Sequence, residues 1–340
     1  MAAPEQSIIN EIIDRGLRPS PRTWLKHIAF LVVTLFTTTI AGVLYPFGRI
    51  PVMPDADPHT WTETAWFILS LPARYFVLIG SALNYLLTDP SYLFYGLSFS
   101  LSLLFILISH EMGHYIACRI YKVDATLPFF IPTPPMLGPA GTFGAFIKIR
   151  SPLPSRKAVF DIGVAGPIAG FAALVPIAII GIATMQQLHP RMIDDSGVIV
   201  FSDPLLMKLI AGMLGIDLNL GVGNPFYYAA WVGLLVTALN LIPSGQLDGG
   251  HAVFAVFGER VHRWTGRIAF AAMTLFSIIG FAVFNSPSGF LIAVLLGVMM
   301  WVRHPEPWDN APLDAKRKGI AFLTLVIFVL CFMPFPIKIT

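Results

Sequence analysis

The chain has few charged residues and few cysteines. Asp, Glu, Lys and Arg make up 12% of its 340 residues, whereas 56% are hydrophobic and the mean hydropathy is +0.73. The net charge of +3 comes from scattered residues, so nucleic acid is not expected as a partner. The two cysteines, Cys118 and Cys331, form no spaced redox or metal motif. This composition excludes an ordinary soluble domain and predicts a polytopic membrane protein in contact with the lipid bilayer.

The sequence also lacks a repeat of solenoid length and any polar stretch long enough to fold as a separate soluble domain. We therefore expect one membrane domain over residues 1–340. It would comprise a cytoplasmic N-terminal arm at 1–26, a core at about 92–257 and C-terminal helices at about 267–340. The arm mixes acidic and basic residues, which fits neither a cleaved signal sequence nor a transit peptide.

Apolar stretches long enough to cross a bilayer predict an all-α fold with about seven transmembrane helices. They lie at 27–44, 92–118, 159–185, 226–247, 267–284, 288–302 and 319–334. A further apolar stretch at 66–87 contains Pro72 and Arg74. We interpret that stretch as an interfacial or re-entrant segment that does not cross the membrane.

The charge of the loops predicts the orientation of the chain. The loop at 119–157 holds six basic residues against one acidic residue, Asp124, so the positive-inside rule places it in the cytoplasm. The N-terminal arm is also basic beside the first span, whereas the loop at 186–224 has four acidic and two basic residues. We expect the N-terminus and the 119–157 loop inside, the 186–224 loop outside, and a bacterial cytoplasmic membrane as the location.

The most specific motif is His110-Glu111-Met112-Gly113-His114, at the end of an apolar run that begins at Leu101. On a helix, His110 and His114 lie one turn apart on one face, as two imidazoles must to chelate one zinc ion. Glu111 is offset from them and can reach a water at the metal without ligating it. An ionisable group at membrane depth costs about 2.5 to 3.5 kcal/mol and needs a bound cation or a wet cavity. The apolar flanks therefore argue against the alternative in which the two histidines only form hydrogen bonds within a polar helix bundle.

A catalytic zinc site takes three protein ligands and keeps an open position. Most other histidines lie in loops or near predicted span ends. His251 is a nearer candidate, but it follows a carboxylate that could itself be the third ligand, Asp248. Asp248 could be only the cap of a helix at the end of the 226–247 span. However, Pro243 and Gly245 interrupt the helix just before it, and broken backbone at membrane depth is tolerated only around a cavity or a site lined by protein. Asp248 is therefore the preferred third ligand.

HEMGH and the element Asn240-Leu-Ile-Pro243-Ser-Gly-Gln-Leu-Asp248-Gly-Gly together resemble the site-2 proteases, the intramembrane zinc metalloproteases of peptidase family M50. The similarity covers about residues 101–257. Without room for a PDZ or CBS module, the chain is similar to the compact EGY-like plastid and bacterial branch. The family often has a second proline where this chain has Gly245, which we expect to alter the local backbone more than the ligation.

The resemblance implies a zinc endopeptidase that cuts a single-pass membrane protein within or beside its transmembrane helix. It implies one Zn²⁺ per chain, with His110, His114 and Asp248 as ligands. Glu111 would be the catalytic base, and Asn240 would lie near the substrate or the oxyanion.

The segment after the HEMGH helix predicts a short re-entrant or β-hairpin element. Its proline-rich part at 128–139 cannot be regular helix. Over 146–150, Phe146, Lys148 and Arg150 alternate with Ile147 and Ile149, as in a strand. A short amphipathic loop hairpin would explain this pattern without a function. An edge strand could instead capture an unwound substrate by β-addition, as the resemblance also implies. Gly144, Phe146 and Ile147 are therefore candidate substrate-binding residues.

The Gly166-x-x-x-Gly170 pair at the start of the third predicted span allows close helix packing, and we expect that role rather than a direct one. Two other classes of protein compete with the protease. A metal transporter or storage protein needs no base, so Glu111 argues against it. A catalytically silent scaffold that binds membrane proteins and retains zinc would usually have lost one of the four site residues, and this chain keeps all four.

Overall fold

The computed structural model describes residues 19–51, 59–188, 199–284, 286, 288–300, 309 and 311–339. Within them the α-helices are α1 Pro21–Val43, α2 Trp61–Thr88, α3 Pro90–Ile120, α4 Arg156–Ala183, α5 Leu205–Leu214, α6 Pro225–Asn240, α7 Asp248–Phe257, α8 Glu259–Phe284, α9 Ser288–Met299 and α10 Ala315–Cys331. The strands are β1 Phe129–Pro132, β2 Thr142–Phe146, β3 Gln186–Gln187, β4 Ile199–Phe201, β5 Gly221–Val222 and β6 Ile337–Ile339. Most of the expected N-terminal arm, part of the acidic loop after α4 and the predicted end of a span at Val302 lie outside the described residues.

The structure confirms a mostly helical membrane protein. Among the described residues, the five helices α1, α2, α3, α4 and α8 are long and apolar enough to cross a membrane. Three helices in predicted spans are shorter: α6 has 16 residues, α9 has 12 and α10 has 17. A bilayer of ordinary thickness needs about 20, so the predicted count of seven spans is not confirmed.

Helix α2 differs from the prediction for residues 66–87. It is one continuous helix of 28 residues with Pro72 inside it, so the chain does not turn back within this stretch, whereas the interfacial interpretation stays a prediction. Thr60 and Glu63 start the helix with a capping box. The Thr60 side chain accepts from the backbone N–H of Glu63, and the Glu63 side chain accepts from the backbone N–H of Thr60. The long apolar run stabilises this helix by more than the one backbone hydrogen bond that Pro72 removes.

The contacts of α2 are confined to its last turns. Its buried residues are Ala82 and Leu86, which pack with Ile40 and Val43 of α1. Large apolar side chains nearer its start are exposed, including Trp66 at 73%. Most of α2 therefore presents apolar surface away from the rest of the chain.

The ends of the helices lie on two opposite sides of the bundle. Nδ1 of His27, near the start of α1, lies 2.8 Å from the carbonyl oxygen of Pro128, which follows α3. At the other end, Gly42 packs directly on Phe99 in the first half of α3. Helices α1 and α3 are therefore antiparallel, and the start of α1 lies beside the basic segment 119–157. We call this end of the bundle the basic side.

The opposite side carries the small sheets that β3 forms with β5 and β4 with β6. Gly181 near the end of α4 meets the backbone of Tyr227 at the start of α6, so these two helices are also antiparallel. A buried apolar core fills the space between α3, α4 and α6, with Leu103, Leu174 and Trp231 among its members. This core fixes the helices that carry the candidate site.

A two-stranded antiparallel hairpin lies on the basic side after α3. Strands β1 and β2 pair Phe129 with Phe146, and the hydroxyl of Thr37 in α1 donates to the carbonyl of Gly141 at 2.8 Å. Because His27 contacts the base of the hairpin, the hairpin follows α1 for about ten residues, or about 15 Å.

The strand begins and ends earlier than the alternation over 146–150 predicts. Residues 147–150 continue from β2 as extended backbone, in which Thr126 N–H donates to the Lys148 carbonyl at 3.0 Å and Arg150 N–H donates to the Asp124 carbonyl at 2.8 Å. Pro128, which has no backbone N–H, lies between these two ladders. The predicted segment is therefore an irregular extension of the strand.

Candidate metal centre

The HEMGH residues lie in the last third of α3, near the basic side. His110, Glu111 and His114 are all buried, with exposed fractions between 4 and 7%. His114 is six residues before the end of α3 at Ile120, which is about 9 Å along a helix. The polar groups are therefore inside the bundle but close to one of its ends.

Asp248 reaches this position because the chain breaks and turns after α6. Helix α6 ends at Asn240 and α7 begins at Asp248, so the predicted interruption is present. Gly245 has a φ of +54°, a left-handed conformation that favours glycine. A Cβ on Gly249 would come within 2.0 Å of the Leu241 carbonyl oxygen, so only glycine lets α7 start directly against the end of α6.

Three ligand atoms form a nearly equilateral triangle. Nε2 of His110 lies 3.1 Å from Nε2 of His114, and Oδ2 of Asp248 lies 3.2 and 3.3 Å from these two nitrogens. A tetrahedral zinc ion with bonds of about 2.0 to 2.1 Å separates its ligand atoms by about 3.3 to 3.4 Å. Two imidazoles and one carboxylate at this spacing therefore fit one zinc ion, with the fourth position left to a non-protein group.

Backbone and side-chain groups orient the two histidines. Nδ1 of His114 lies 2.7 Å from the carbonyl oxygen of Ile162 in α4, and since a carbonyl only accepts, Nδ1 carries the proton and Nε2 is free to ligate. The Asn240 side-chain nitrogen lies 3.2 Å from Nε2 of His110. Asn240 thus lies beside the metal triangle, and its role near the substrate or the oxyanion stays a prediction.

The predicted close packing at Gly166 and Gly170 occurs against the metal ligands themselves. A Cβ on Gly166 would lie 2.1 Å from Nε2 of His114, and one on Gly170 would lie 3.0 Å from Cβ of His110. The third glycine of this contact, Gly113, faces the Ala165 carbonyl oxygen from α3. These glycines let α4 approach α3 until the histidines fill the space between them.

Glu111 points to a cavity of about 570 Å³ beside the triangle. The backbone of Ile147 faces its carboxylate, and Ile147 lines the cavity, so the extended segment after β2 forms part of the wall of the site. The three ligand residues also line the cavity, and most of the rest of the wall is apolar, from Ile149, Leu153 and Ile162.

Of the candidate substrate-binding residues, Asn240, Phe146 and Ile147 line the cavity. Gly144 is not among the described residues that do so. It has a φ of +93° and open space where a Cβ would stand, so the backbone conformation of β2 favours glycine at this position. His251, one turn after Asp248, does line the cavity. His251 is not expected as a ligand from the sequence, but its spacing of three residues from Asp248 on one helix is the signal that places it beside the site.

These features define a membrane-embedded metal site of the metallopeptidase type. The sequence profile of Peptidase family M50 matches residues 98–283, which is more than half of the chain. The chain belongs to this family.

Curated relatives that the chain matches are named as chloroplast proteins. The chain is 30% identical over 334 residues to "Probable zinc metalloprotease EGY1, chloroplastic" of Arabidopsis thaliana, covering 93% of this chain and 54% of the relative. The protein of the same name from Oryza sativa subsp. japonica is 29% identical over 332 residues, covering 93% of this chain and 52% of the relative. "Probable zinc metalloprotease EGY2, chloroplastic" of Arabidopsis thaliana is 26% identical over 253 residues, covering 72% and 43%. The chain thus spans about half the length of the curated relatives it matches.

Proposed function

We propose that this protein is an intramembrane zinc endopeptidase, a single membrane protease domain that hydrolyses a peptide bond within or near the transmembrane helix of a single-pass membrane protein. One observation carries the proposal. A triangle of His110, His114 and Asp248 stands beside the buried carboxylate of Glu111 on the wall of a cavity inside a bundle of apolar helices. A metal store or transporter has no use for such a carboxylate.

His110, His114 and Asp248 would hold one Zn²⁺. When bound, zinc supplies a Lewis acid that polarises a carbonyl group and lowers the pKa of water to about 7. The Ile162 carbonyl keeps the ligating nitrogen of His114 unprotonated, and the negative charge of Asp248 suits a divalent cation. The site is therefore complete without a residue from another chain.

Glu111 is the proposed general base and acid. It takes a proton from the attacking water as the water oxygen bonds to the peptide carbonyl carbon. When the carbon–nitrogen bond breaks, Glu111 gives this proton to the leaving amine. The second proton of the water stays on the new carboxyl group until it too passes to the amine, so the products are a carboxylate and an ammonium group. Asn240 would donate its side-chain N–H to the oxygen of the former carbonyl, where negative charge develops.

The extended segment after β2 would hold the substrate. Since Lys148 and Arg150 use their backbone groups inside the hairpin, the alternation of a strand directs those of Ile147 and Ile149 to the other edge. The place of Ile147 and Ile149 in the cavity wall supports an edge that faces the site. An unwound substrate segment can add to such an edge by backbone hydrogen bonds, with Phe146 and Ile147 at the cavity wall.

The proposed location is a bacterial cytoplasmic membrane, with the N-terminus and the basic side in the cytoplasm. The contact between His27 and Pro128 supports a common side for the N-terminus and the 119–157 segment. The six basic residues of that segment favour the cytoplasmic face.

The test compares the detergent-purified wild type with Glu111→Gln for metal content and for cleavage of a generic transmembrane-helix substrate. We expect one zinc in each protein and a rate about 10² to 10⁴ lower in the variant. Zinc in both proteins with no cleavage in either, across a panel of such substrates, would favour the silent scaffold. A folded wild type without zinc would overturn the proposal.

A further inference from the structure

A charged cluster on the basic side joins three helices that are distant in the sequence. Arg317, in the first turn of α10, donates from Nε to Oδ1 of Asp161 at 2.9 Å and from a terminal nitrogen to Oδ2 at 2.6 Å. Tyr121, just after α3, donates its hydroxyl to the same carboxylate and accepts from Arg317 at 3.1 Å. One carboxylate of α4 is therefore held from two neighbouring helices at once.

This cluster is next to the metal triangle along the backbone. Asp161 directly precedes Ile162, whose carbonyl oxygen lies 2.7 Å from Nδ1 of His114. Tyr121 is two helical turns after His114 along α3. The cluster thus fixes α4 against α3 at the level where the Ile162 carbonyl must meet the imidazole.

We propose that Arg317 is a positioning residue that acts through Asp161 and Tyr121 to hold the Ile162 carbonyl against His114, and so sets the zinc affinity of the site. The inference rests on the proposed function for the identity of the metal. Groups that orient metal-ligating histidines commonly change metal affinity or activity by about 10- to 100-fold when they are removed.

The geometry favours positioning over a simple contribution to stability. The side chains of Arg317 and Asp161 are 23 and 25% exposed, and ion pairs at partly exposed sites contribute little to folding. The planar guanidinium contacts both oxygens of Asp161, which restrains direction as well as distance. A single lysine nitrogen cannot reproduce that restraint.

The variants are Arg317→Gln, Arg317→Lys and Tyr121→Phe. The matched control is Arg263→Gln, because Arg263 also forms an ion pair, with Glu259 in α8 at 3.1 Å, but lies outside the cluster. Zinc affinity is measured by competition with a chromophoric chelator on the purified full chain. The thermal midpoint of each metal-free protein and the separate values of kcat and KM are measured beside it.

We expect Arg317→Gln to raise the zinc Kd by about 10- to 100-fold and to lower kcat with little change in KM. Arg317→Lys and Tyr121→Phe should show intermediate losses, and Arg263→Gln should match the wild type. If Arg317→Gln does not fold, Tyr121→Phe decides, since it removes one hydroxyl group and leaves the ion pair.

A zinc Kd within twofold of the wild type in the folded cluster variants would overturn the inference, even if their thermal midpoints fall. Such a result would leave the proposed function intact, since the wild type would bind zinc and cleave. A wild type that binds no zinc would overturn both the proposed function and this inference.

Discussion

The Nδ1 atom of His114 lies 2.7 Å from the carbonyl oxygen of Ile162, across the interface between α3 and α4. This contact fixes which ring nitrogen can ligate, so the separation of the two helices is part of the metal site. The same interface is lined by Gly113, Gly166 and Gly170, whose lack of side chains sets that separation. Mutations at the interface should therefore change the metal site even where no ligand is altered.

Gly166→Ala should abolish or strongly weaken zinc binding. The added Cβ would lie 2.1 Å from Nε2 of His114, so the imidazole or α4 must move. Zinc content after gel filtration measures the effect. Gly319→Ala is the control, because a Cβ at Gly319 meets nothing within 4 Å; that variant should keep its zinc and gain up to about 1 kcal/mol in stability. Full zinc occupancy in Gly166→Ala would contradict the described packing.

Asn240→Ala should lower kcat by about 10² to 10³-fold and leave zinc bound. The reason is that Asn240 contributes a donor beside His110, and the loss of one donor to a developing oxyanion has an effect of that size. Steady-state cleavage with parallel metal analysis separates the two effects. Asn219→Ala, at an exposed residue on the opposite side, should behave as the wild type. A raised KM with an unchanged kcat would instead assign Asn240 to substrate binding.

Ile149→Pro should reduce cleavage at least about tenfold while zinc stays bound. Proline removes the outward N–H of residue 149 but leaves the inward hydrogen bonds of Lys148 and Arg150. Ile149→Ala, which keeps the N–H, is the matched control and should retain most of the activity. Position 147 is less informative, since its backbone already faces Glu111. Equal activities of the two variants would count against the substrate edge.

Cysteines introduced at Arg150 and Asp217 should be labelled from opposite sides of the membrane. Both positions are exposed, and the native cysteines, Cys118 and Cys331, are buried. A membrane-impermeant maleimide added to intact cells should modify only Asp217→Cys, and disruption of the membrane should make Arg150→Cys reactive. Labelling of both variants in intact cells would refute the proposed topology.

Local sequence patterns were sufficient to predict much of the metal triangle. The spacing of His110 and His114 fixes their common helical face, and Pro243 and Gly245 mark a break that the structure shows between Asn240 and Asp248. Both signals depend on a few consecutive residues. The roles of Glu111 and Asn240 came instead from family resemblance and stay predictions until they are tested.

Long-range packing accounts for what the sequence could not predict. Arg317 and Asp161 meet across 156 positions of the chain, and no local pattern connects them. Pro72 does not mark a turn of the chain, because one proline within a 28-residue apolar helix removes only one hydrogen bond. Gly144 is not among the described residues that line the cavity, because the side on which a strand faces depends on its pairing; its role in substrate binding stays a prediction.

The hydrogen bond from Thr37 to Gly141 bears on the order in which the protein is assembled. During synthesis α1 leaves the ribosome about a hundred residues before the hairpin, so it is already inserted when the hairpin emerges. Backbone groups of a hairpin have no water to bind in the interior of a lipid bilayer. Helix α1 therefore offers the hairpin hydrogen-bond partners that the bilayer interior lacks, and its removal would leave the proposed substrate edge without this support.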